Sequence, residues 1–323
     1  MTTSGPERPA GDAEDLRMFL ARVGEVADRR EMGLWLVGGA LRDLLLGRTT
    51  KDVDLAVEAG AGSALELAVR LAALPGWSLE KRHDRFGTAT LAAPGGLRVD
   101  LAATRREEYA SPASLPVITD TATIDDDLGR RDFTIHAMAR RVGKRGLVGA
   151  TLDPFGGRRD LAAKTLRLLH PKSLVDDPTR AYRAVKYAVR LGFAWERDFE
   201  RALKAARSAR AFGALSGDRM RRGFEEIFSE GEWGRAAALA NDLSLFGDVL
   251  PGWSGPHHLS KKSPNGDGVA PAPFDALPAA GARPKAEEIW RRLLEPLPGP
   301  ERAAAAARLN FSRKLRRAAG VPA

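Results

Sequence analysis

The segment LVGGALRDLLLGRTTKDVDLAV, residues 36–57, contains apolar runs, a pair of glycines and two aspartates in close succession. The apolar run at 34–37 predicts a strand that ends at Gly38 and Gly39, and the letters ALRDLLLG predict a short helix. The alternation in DVDLAV predicts a second strand over 52–57. A strand, a glycine turn, a helix and a second strand in so few residues indicate a sheet that carries helices.

The same segment holds side chains and backbone groups suited to a charged substrate. Gly38 and Gly39 let backbone N–H groups approach an anion closely, and the helix N-terminus that follows favours negative charge, as in a triphosphate. Asp52 and Asp54 project from one face of their strand, so they can share divalent cations, which would relieve their mutual repulsion. A solvated strand end is the alternative for an isolated Asp-x-Asp, and the preceding glycine turn favours the metal site.

The composition of the 323-residue chain is that of a folded protein with about two domains. It has 51 Lys and Arg against 42 Asp and Glu, and residues 161–222 alone contain 15 basic and 6 acidic side chains. This local excess indicates a polyanionic partner, with a solvated basic helix face as the alternative. The chain has no cysteine and five histidines, so oxygen-bound Mg²⁺ is the expected metal. We find no membrane span and no signal peptide, and we expect a cytoplasmic protein.

The remaining pattern predicts an α+β protein in which a small mixed sheet precedes a helical part. Residues 13–30 predict an amphipathic helix, strand candidates follow at 88–92 and 97–102, and 139–152 can form a hairpin. Residues 104–123 predict a long loop. The later chain is predicted to form helices over 178–191, 198–209, 217–228, 233–243, 285–294 and 301–315.

The segment GRRDFTIHAMA, residues 129–139, predicts a buried helix that also carries charged side chains. Arg131 offers a guanidinium to a phosphate, and Asp132 offers a carboxylate that can accept hydrogen bonds from ribose hydroxyls. An intramolecular ion pair is the alternative for these two residues.

The segment DDPTR, residues 176–180, predicts a helix start with Asp177 as the N-cap. Arg180 lies three residues further along the same face, beside Asp177. An acceptor beside donors matches the amino group and ring nitrogen of cytosine and adenine, whereas guanine and uracil present the opposite order and would leave buried polar groups unpaired. The pair is therefore predicted to select C and A, with a simple capped helix as the alternative.

Taken in this order, the motifs resemble the class II tRNA nucleotidyltransferase and bacterial poly(A) polymerase family. The matching segments are motif A at 36–57, motif B at 129–139, the connecting strand and turn LDPFGGRRDL at 152–161, and motif D at 176–193. The resemblance extends from about Leu34 to Phe228. It implies an α+β fold with a polymerase-beta-like nucleotidyltransferase head, followed by an all-helical neck, body and tail.

We expect the domains to follow that plan along the chain. They are a disordered N-terminus over 1–12, the head over 13–152, a helical neck and body for nucleotide-base and RNA binding over 153–250, a Pro/Gly-rich linker over 251–284 and a short helical tail over 285–323.

The resemblance also implies a role for each matching residue. Those expected to hold two catalytic Mg²⁺ ions are Asp52 and Asp54, with Asp100 as a further candidate. Those expected to face the triphosphate or hold the ribose are Gly38, Gly39, Arg42, Arg131 and Asp132. The expected base-selecting residues are Asp177, Arg180 and Arg183, and the RNA-binding candidates are Lys186, Arg190, Arg219 and Arg222.

The predicted activity is Mg²⁺-dependent addition of C, C and A from CTP and ATP to the 3′ acceptor end of tRNA, with release of pyrophosphate. No membrane or protein partner is expected. Alternatives are a CC-adding or A-adding specialist, a poly(A) polymerase, and a catalytically inactive tRNA-binding protein. Three positions depart from the family pattern, which has Asn at His136 and Glu at Asp176 and Gly223; Glu225 or Glu226 could substitute for the last.

Overall fold

The computed structural model describes residues 13–58, 60, 62–119, 122–249, 285–295 and 297–321. These residues form two units, one containing the described residues up to 108 together with 116–163, the other containing 109–115 and the described residues from 164 onward. The predicted disordered N-terminus and the predicted linker over 251–284 lie outside the described residues, and the predicted domain boundaries stay predictions.

The first unit is built on a seven-stranded mixed sheet in the order β3-β4-β5-β2-β1-β8-β9. Its strands are β1 Gly33–Val37, β2 Asp52–Glu58, β3 Ser78–His83, β4 Thr88–Ala93, β5 Leu97–Ala103, β8 Ala139–Gly143 and β9 Gly146–Leu152. Strands β2 and β5 pair in parallel and the other neighbours pair antiparallel. The central strands are rich in buried aliphatic side chains, which is why their apolar runs are visible in the sequence.

Strand β3 was missed because all six of its residues are exposed, so its sequence SLEKRH carries no apolar alternation. The predicted loop over 104–123 contains a second pairing, between β6 (Arg106–Glu108) and β7 (Val117–Thr119). Helices of this unit are α1 Ala13–Asp28, α2 Gly38–Leu45, α3 Ser63–Ala72, α4 Ile124–Gly129 and α5 Gly157–Ala162. Short 3-10 turns lie at Asp84–Phe86, Pro94–Gly96 and Thr134–His136.

The prediction of a buried helix over 129–139 was wrong. Only Thr134–His136 forms a single 3-10 turn, and Phe133 is extended, with φ −128° and ψ 150°. Side-chain hydrogen bonds replace the helical ones: Phe133 N–H donates to the Asp132 carboxylate, and the Thr134 hydroxyl donates to Asp160. The segment is buried as predicted, but its backbone is fixed by its own polar side chains.

The second unit is mainly helical, as predicted. Its helices are α6 Ser173–Asp176, α7 Thr179–Leu191, α8 Arg197–Ser208, α9 Ala211–Ala214, α10 Gly217–Phe228, α11 Trp233–Asp242, α12 Ala286–Leu294, α13 Gly299–Arg308 and α14 Arg313–Ala318, with a short parallel pair of strands, β10 Thr165–Leu166 and β11 Ala194–Trp195. The single helix predicted over 301–315 is two helices. Asn310 adopts φ +50° and Ser312 caps the new helix start, so the chain turns there.

Helices α7 and α10 run parallel and are joined by ion pairs along their length. Lys186 pairs with Glu226 at 2.8 Å and Arg190 pairs with Glu230 at 2.5 Å. Between these ion pairs and the start of α7, the ring of Tyr182 lies against Gly223, where an added Cβ would be 2.7 Å from the ring. Tyr182 therefore fills the space that a side chain at position 223 would need.

Within the described part of the chain, no helix is long and apolar enough to cross a membrane.

Replacement of Gly223 by Ala is expected to destabilise the second unit. The added methyl would overlap the buried Tyr182 ring, and overpacking of this kind costs about 1–3 kcal/mol. That cost exceeds the gain of roughly 0.5–1 kcal/mol from removing a helical glycine. Chemical denaturation measures the difference, and Gly213→Ala is the matched control because space around Gly213 is open. A Gly223→Ala protein as stable as the wild type would contradict this packing.

Candidate active site

Three aspartates approach one another on the neighbouring strands β2 and β5. Asp54 lies opposite Asp100 in the parallel register, and Asp52 lies opposite Arg98. Asp52 is exposed, whereas Asp54 and Asp100 are partly buried. The Thr90 hydroxyl donates to the Asp100 carboxylate at 2.6 Å, so Asp100 already has a neutral partner within the sheet.

The local electrostatics of Asp54 favour a bound cation. Burial raises the pKa of Asp54 above its ordinary value, and the negative charges of Asp100 and Asp52 raise it further. Arg131 and the N–H of Gly39 lower it, but not enough to offset burial. A cation beside Asp54 would offset the same repulsion. The donor set therefore fits a divalent, oxygen-preferring metal.

The described residues contain no group of three or more acidic or histidine side chains arranged to hold a metal. Mg²⁺ commonly uses only one or two carboxylates together with water and substrate phosphates. Asp52 and Asp54 would suffice for such a site, and the case for Asp100 as a direct ligand is correspondingly weaker because Thr90 donates to it.

The glycine turn lies directly against the acidic cluster. Gly38 adopts φ +64°, and a Cβ there would lie 3.1 Å from both the Asp54 carboxylate and the Arg131 guanidinium. Only glycine meets both demands, the left-handed backbone and the close approach. The N–H of Gly39 donates to Asp54, so at least one backbone donor of the turn orients the carboxylate.

Arg131 is held by a residue that the sequence analysis missed. The buried carboxylate of Asp127, on α4, accepts from Arg131 and from Arg130, each at 2.8 Å. Burial alone would raise the pKa of Asp127, but the two guanidinium groups hold it below the ordinary value. The capping box between Thr123 and Asp126 begins α4, and this sequence pattern could have predicted the helix. Nothing in the run of three aspartates indicated that Asp127 would be the buried member.

The position of Arg131 suits an anionic ligand. Its guanidinium lies against Gly38 and its charge acts on Asp54. Its buried Nε has no hydrogen-bond partner among the described residues, which is unusual for a buried donor and costs free energy unless a ligand accepts from it. The donor would be satisfied by a phosphate oxygen.

Arg42 and Asp132 are connected through the buried side chain of His136. Arg42 forms a two-pronged contact with the neighbouring Asp43, with both N–O distances 2.8 Å, and approaches His136 Nε2 at 2.7 Å. His136 Nδ1 lies 2.9 Å from Asp132 Oδ1. Arg42 was predicted to face the triphosphate. It is nearly fully buried, and its guanidinium contacts protein groups.

In the second unit, Asp177 lies just before α7, whose N-cap is Pro178, so the prediction of Asp177 as the N-cap was wrong. The described contacts of Asp177 all reach one carboxylate oxygen. Its Oδ1 accepts from the Thr179 N–H at 3.0 Å, from the Thr179 hydroxyl at 2.6 Å and from Arg219 at 2.8 Å. Arg180 is buried and donates to the Ser173 hydroxyl. Arg183 donates to the hydroxyl of Tyr187 at 3.1 Å and lies over its ring.

The candidate RNA-binding side chains are mostly engaged with acidic partners. Lys186 and Arg190 form the ion pairs with α10 described above. Arg219 binds Asp177 and also donates to the backbone carbonyl of Ala113 at 2.7 Å. Arg222 is exposed. Much of the basic excess of this unit is thus used within the protein.

Replacement of Asp127 by Asn is expected to destabilise the first unit by about 3–5 kcal/mol, because it removes the buried carboxylate that pairs with both Arg130 and Arg131. Arg130 keeps its contact with Glu107. Since the folded-state pKa of Asp127 is lowered, its contribution is present above the unfolded pKa of about 3.9 and disappears as pH falls through the folded value. Thermal unfolding from pH 8 downward measures this. Asp125→Asn, on the same helix and exposed, is the control, and equal stability of the two variants would contradict the role of Asp127.

Replacement of Asp54 by Asn is expected to stabilise the metal-free protein. A raised folded-state pKa means that the folded state is penalised once Asp54 ionises, and that the penalty is absent below the unfolded pKa of about 3.9. The variant should therefore melt at a higher temperature than the wild type at pH 8 in EDTA, with the gap closing towards pH 4. Asp198→Asn, an exposed carboxylate on α8, should change stability by less than about 0.5 kcal/mol. A less stable Asp54→Asn protein at pH 8 would refute this account.

Comparison with known proteins supports the arrangement of motifs. Residues 34–167 match the family model of the poly(A) polymerase head domain. An A-adding tRNA nucleotidyltransferase from Halalkalibacterium halodurans is 33% identical over 287 residues, which are 87% of this chain and 65% of that protein. A second A-adding enzyme, from Geobacter sulfurreducens, is 38% identical over 72% of this chain and 26% of its own length.

Relatives with other names match as well. A CC-adding tRNA nucleotidyltransferase from Deinococcus radiodurans is 42% identical over 49% of this chain and 41% of that protein. A solved structure of a CCA-adding enzyme in complex with CTP superposes with a TM-score of 0.74 at 32% identity, over 95% of this chain and 69% of that one. The chain spans less than two thirds of the length of the curated relatives described here. With its head motifs, its helical second unit and these matches, the chain belongs to the family of tRNA nucleotidyltransferases and bacterial poly(A) polymerases.

Proposed function

We propose that this chain is a tRNA nucleotidyltransferase that adds C, C and A from CTP and ATP to the 3′ end of tRNA and releases pyrophosphate. One observation carries the proposal: Asp54 and Arg131 meet at Gly38, where no side chain larger than hydrogen fits without displacing one of them. A carboxylate for a metal and a guanidinium for a phosphate on either side of a glycine turn suit the binding of a metal-bound triphosphate.

We infer that Asp52 and Asp54 hold Mg²⁺. When bound, two such ions would lower the pKa of the attacking RNA 3′-hydroxyl and stabilise the pyrophosphate leaving group. Arg131, oriented by Asp127, would bind a phosphate oxygen through its unpartnered Nε. Asp132 would accept from a ribose hydroxyl. Gly38 and Gly39 have no side chains, so they would leave space at the glycine turn for the triphosphate.

Base selection is proposed for Asp177 and Arg180, together with Arg183. All three described hydrogen bonds to the Asp177 carboxylate reach Oδ1, so Oδ2 can accept from the amino group of cytosine or adenine. The contact from Arg219 fixes the plane of that carboxylate. An amino acceptor of this kind rejects the carbonyl that guanine or uracil would present.

The base-selecting residues and the relatives favour different substrate ranges. A base-selecting pair that accepts both C and A favours addition of the complete CCA end. The matching relatives include enzymes named A-adding and CC-adding, which supports a specialist as the alternative. Since the proposed substrates are tRNA, CTP and ATP, we assign the activity to the cytoplasm.

The deciding experiment supplies purified protein and Mg²⁺ with three tRNA transcripts, ending at the discriminator base, at C and at CC. Each is incubated with single nucleoside triphosphates and with CTP plus ATP, and products are resolved by length. Complete CCA on the first transcript is the expected result. Products that stop at CC, or use of only the CC-ended transcript, would identify a specialist, a long A tract would identify a poly(A) polymerase, and no product would favour an inactive tRNA-binding protein.

Replacement of Asp52 and Asp54 by Ala is expected to lower transfer by roughly a thousandfold or more, because metal-ion catalysis contributes several kcal/mol of transition-state stabilisation. Binding of tRNA, measured separately by filter retention, should stay within about twofold of wild type because the exposed basic side chains are unchanged. Glu66→Ala, an exposed carboxylate on α3, is the control for both assays. Transfer at wild-type rate by the double variant would disprove the metal site.

A further inference from the structure

In the first unit, His136 lies between Arg42 and Asp132, the residue proposed to accept from a ribose hydroxyl. Its Nε2 lies 2.7 Å from Arg42 Nη1, and its Nδ1 lies 2.9 Å from Asp132 Oδ1. Arg42, His136 and Asp132 are 3%, 4% and 7% exposed. The imidazole therefore connects Arg42 on helix α2 with Asp132 in an environment that excludes most water.

The partners of the imidazole fix which nitrogen carries the proton. A guanidinium can only donate, so His136 Nε2 must accept from Arg42. An ionised carboxylate can only accept, so Nδ1 must donate to Asp132. Oδ1 of Asp132 also accepts from the Phe133 N–H at 2.8 Å. Two donors on one oxygen fix the plane of the carboxylate, and one of them depends on the imidazole.

Further contacts hold Arg42 and His136 in place. Asp43 binds the far side of the Arg42 guanidinium, and Arg131 donates to the backbone carbonyl of His136 at 3.3 Å. The Phe133 ring packs edge-on against the imidazole, with centroids 6.0 Å apart. His136 is consequently a buried side chain with both ring nitrogens in use.

We propose that His136 is a positioning residue that orients Asp132 towards the ribose and couples it to Arg42, so that preference for ribonucleotides over deoxyribonucleotides depends on this imidazole. The proposal rests on the role of Asp132 in the proposed function. It concerns a position at which the family pattern has Asn. An Asn side chain ends at its δ atoms, where Nδ1 of histidine lies, so it can reach Asp132 but falls short of Arg42. A Gln side chain ends at its ε atoms and can reach Arg42.

Three substitutions separate these contacts. His136→Ala removes both, His136→Asn keeps a donor near Asp132, and His136→Gln keeps an acceptor near Arg42. The measured quantity is the ratio of kcat/KM for ATP to that for dATP on a CC-ended tRNA. Loss of folded protein scales both rate constants equally and leaves this ratio unchanged. The ratio of Kd values for ATP and dATP, measured with Mg²⁺ by calorimetry, gives the same information without catalysis.

The expected result is a loss of between about tenfold and a hundredfold in both ratios for His136→Ala, the range for one hydrogen bond to a charged group. His136→Asn should recover most of the loss, and His136→Gln should recover little. Thr134→Val removes another buried hydrogen bond of the same segment, to Asp160, and should lower thermal stability without changing either ratio.

One outcome would contradict the positioning role of His136, and another would contradict the ribose-binding role of Asp132. If His136→Ala keeps both ratios within about twofold of wild type while Asp132→Asn loses them, His136 does not position Asp132 and this proposal is wrong. If Asp132→Asn also keeps both ratios, the ribose-binding role of Asp132 in the proposed function fails, and the positioning role of His136 falls with it.

Discussion

The attraction between the buried carboxylate of Asp127 and the guanidinium groups of Arg130 and Arg131 is the interaction on which the candidate site depends. Asp54 is partly buried beside Asp100 and Asp52, and that arrangement is electrostatically unfavourable without positive charge nearby. Arg131 supplies that charge, and Asp127 keeps Arg131 in place. Glu107 extends the network by pairing with Arg130 and Arg105. Arg130 is therefore held by two carboxylates, those of Asp127 and Glu107.

A site of this kind is pre-organised at some cost in stability. The raised pKa of Asp54 and the unpartnered Nε of Arg131 are both unfavourable in the ligand-free protein. Both would be relieved by ligands of complementary chemistry, a divalent cation for the carboxylates and a phosphate for the guanidinium. The binding free energy of such ligands would thus include the removal of unfavourable interactions already present in the fold.

The second unit shows a different constraint, the register between α7 and α10. The ion pairs from Lys186 and Arg190 fix how far one helix is shifted along the other, and Gly223 lets the Tyr182 ring lie between them. In that register Arg219 reaches Asp177 at the start of α7. The departure from the family pattern at Gly223 therefore has a packing reason, because Tyr182 occupies the space of a side chain, and Glu226 forms its ion pair from the next turn of α10.

Strong local signals in the sequence were sufficient to predict several of the observed elements. The apolar runs around Gly38 and Gly39, the alternation after Asp52 and the amphipathic helices of the second unit were all readable, because burial of a strand or helix face leaves a period in the sequence. The motifs also indicated the family, which the comparisons then established. Strand β3 left no such period, since its side chains are all exposed.

Which charged residues become partners depends on the tertiary packing. Asp127 lies in a run of three aspartates, and it alone of the three is buried and pairs with Arg131. Asp177 was expected beside Arg180 from helical spacing, yet its described partner is Arg219, 42 residues away. Likewise His136 joins Arg42 across 94 residues. Pairings at such separations depend on the packing of whole elements, and no local pattern in the sequence records them.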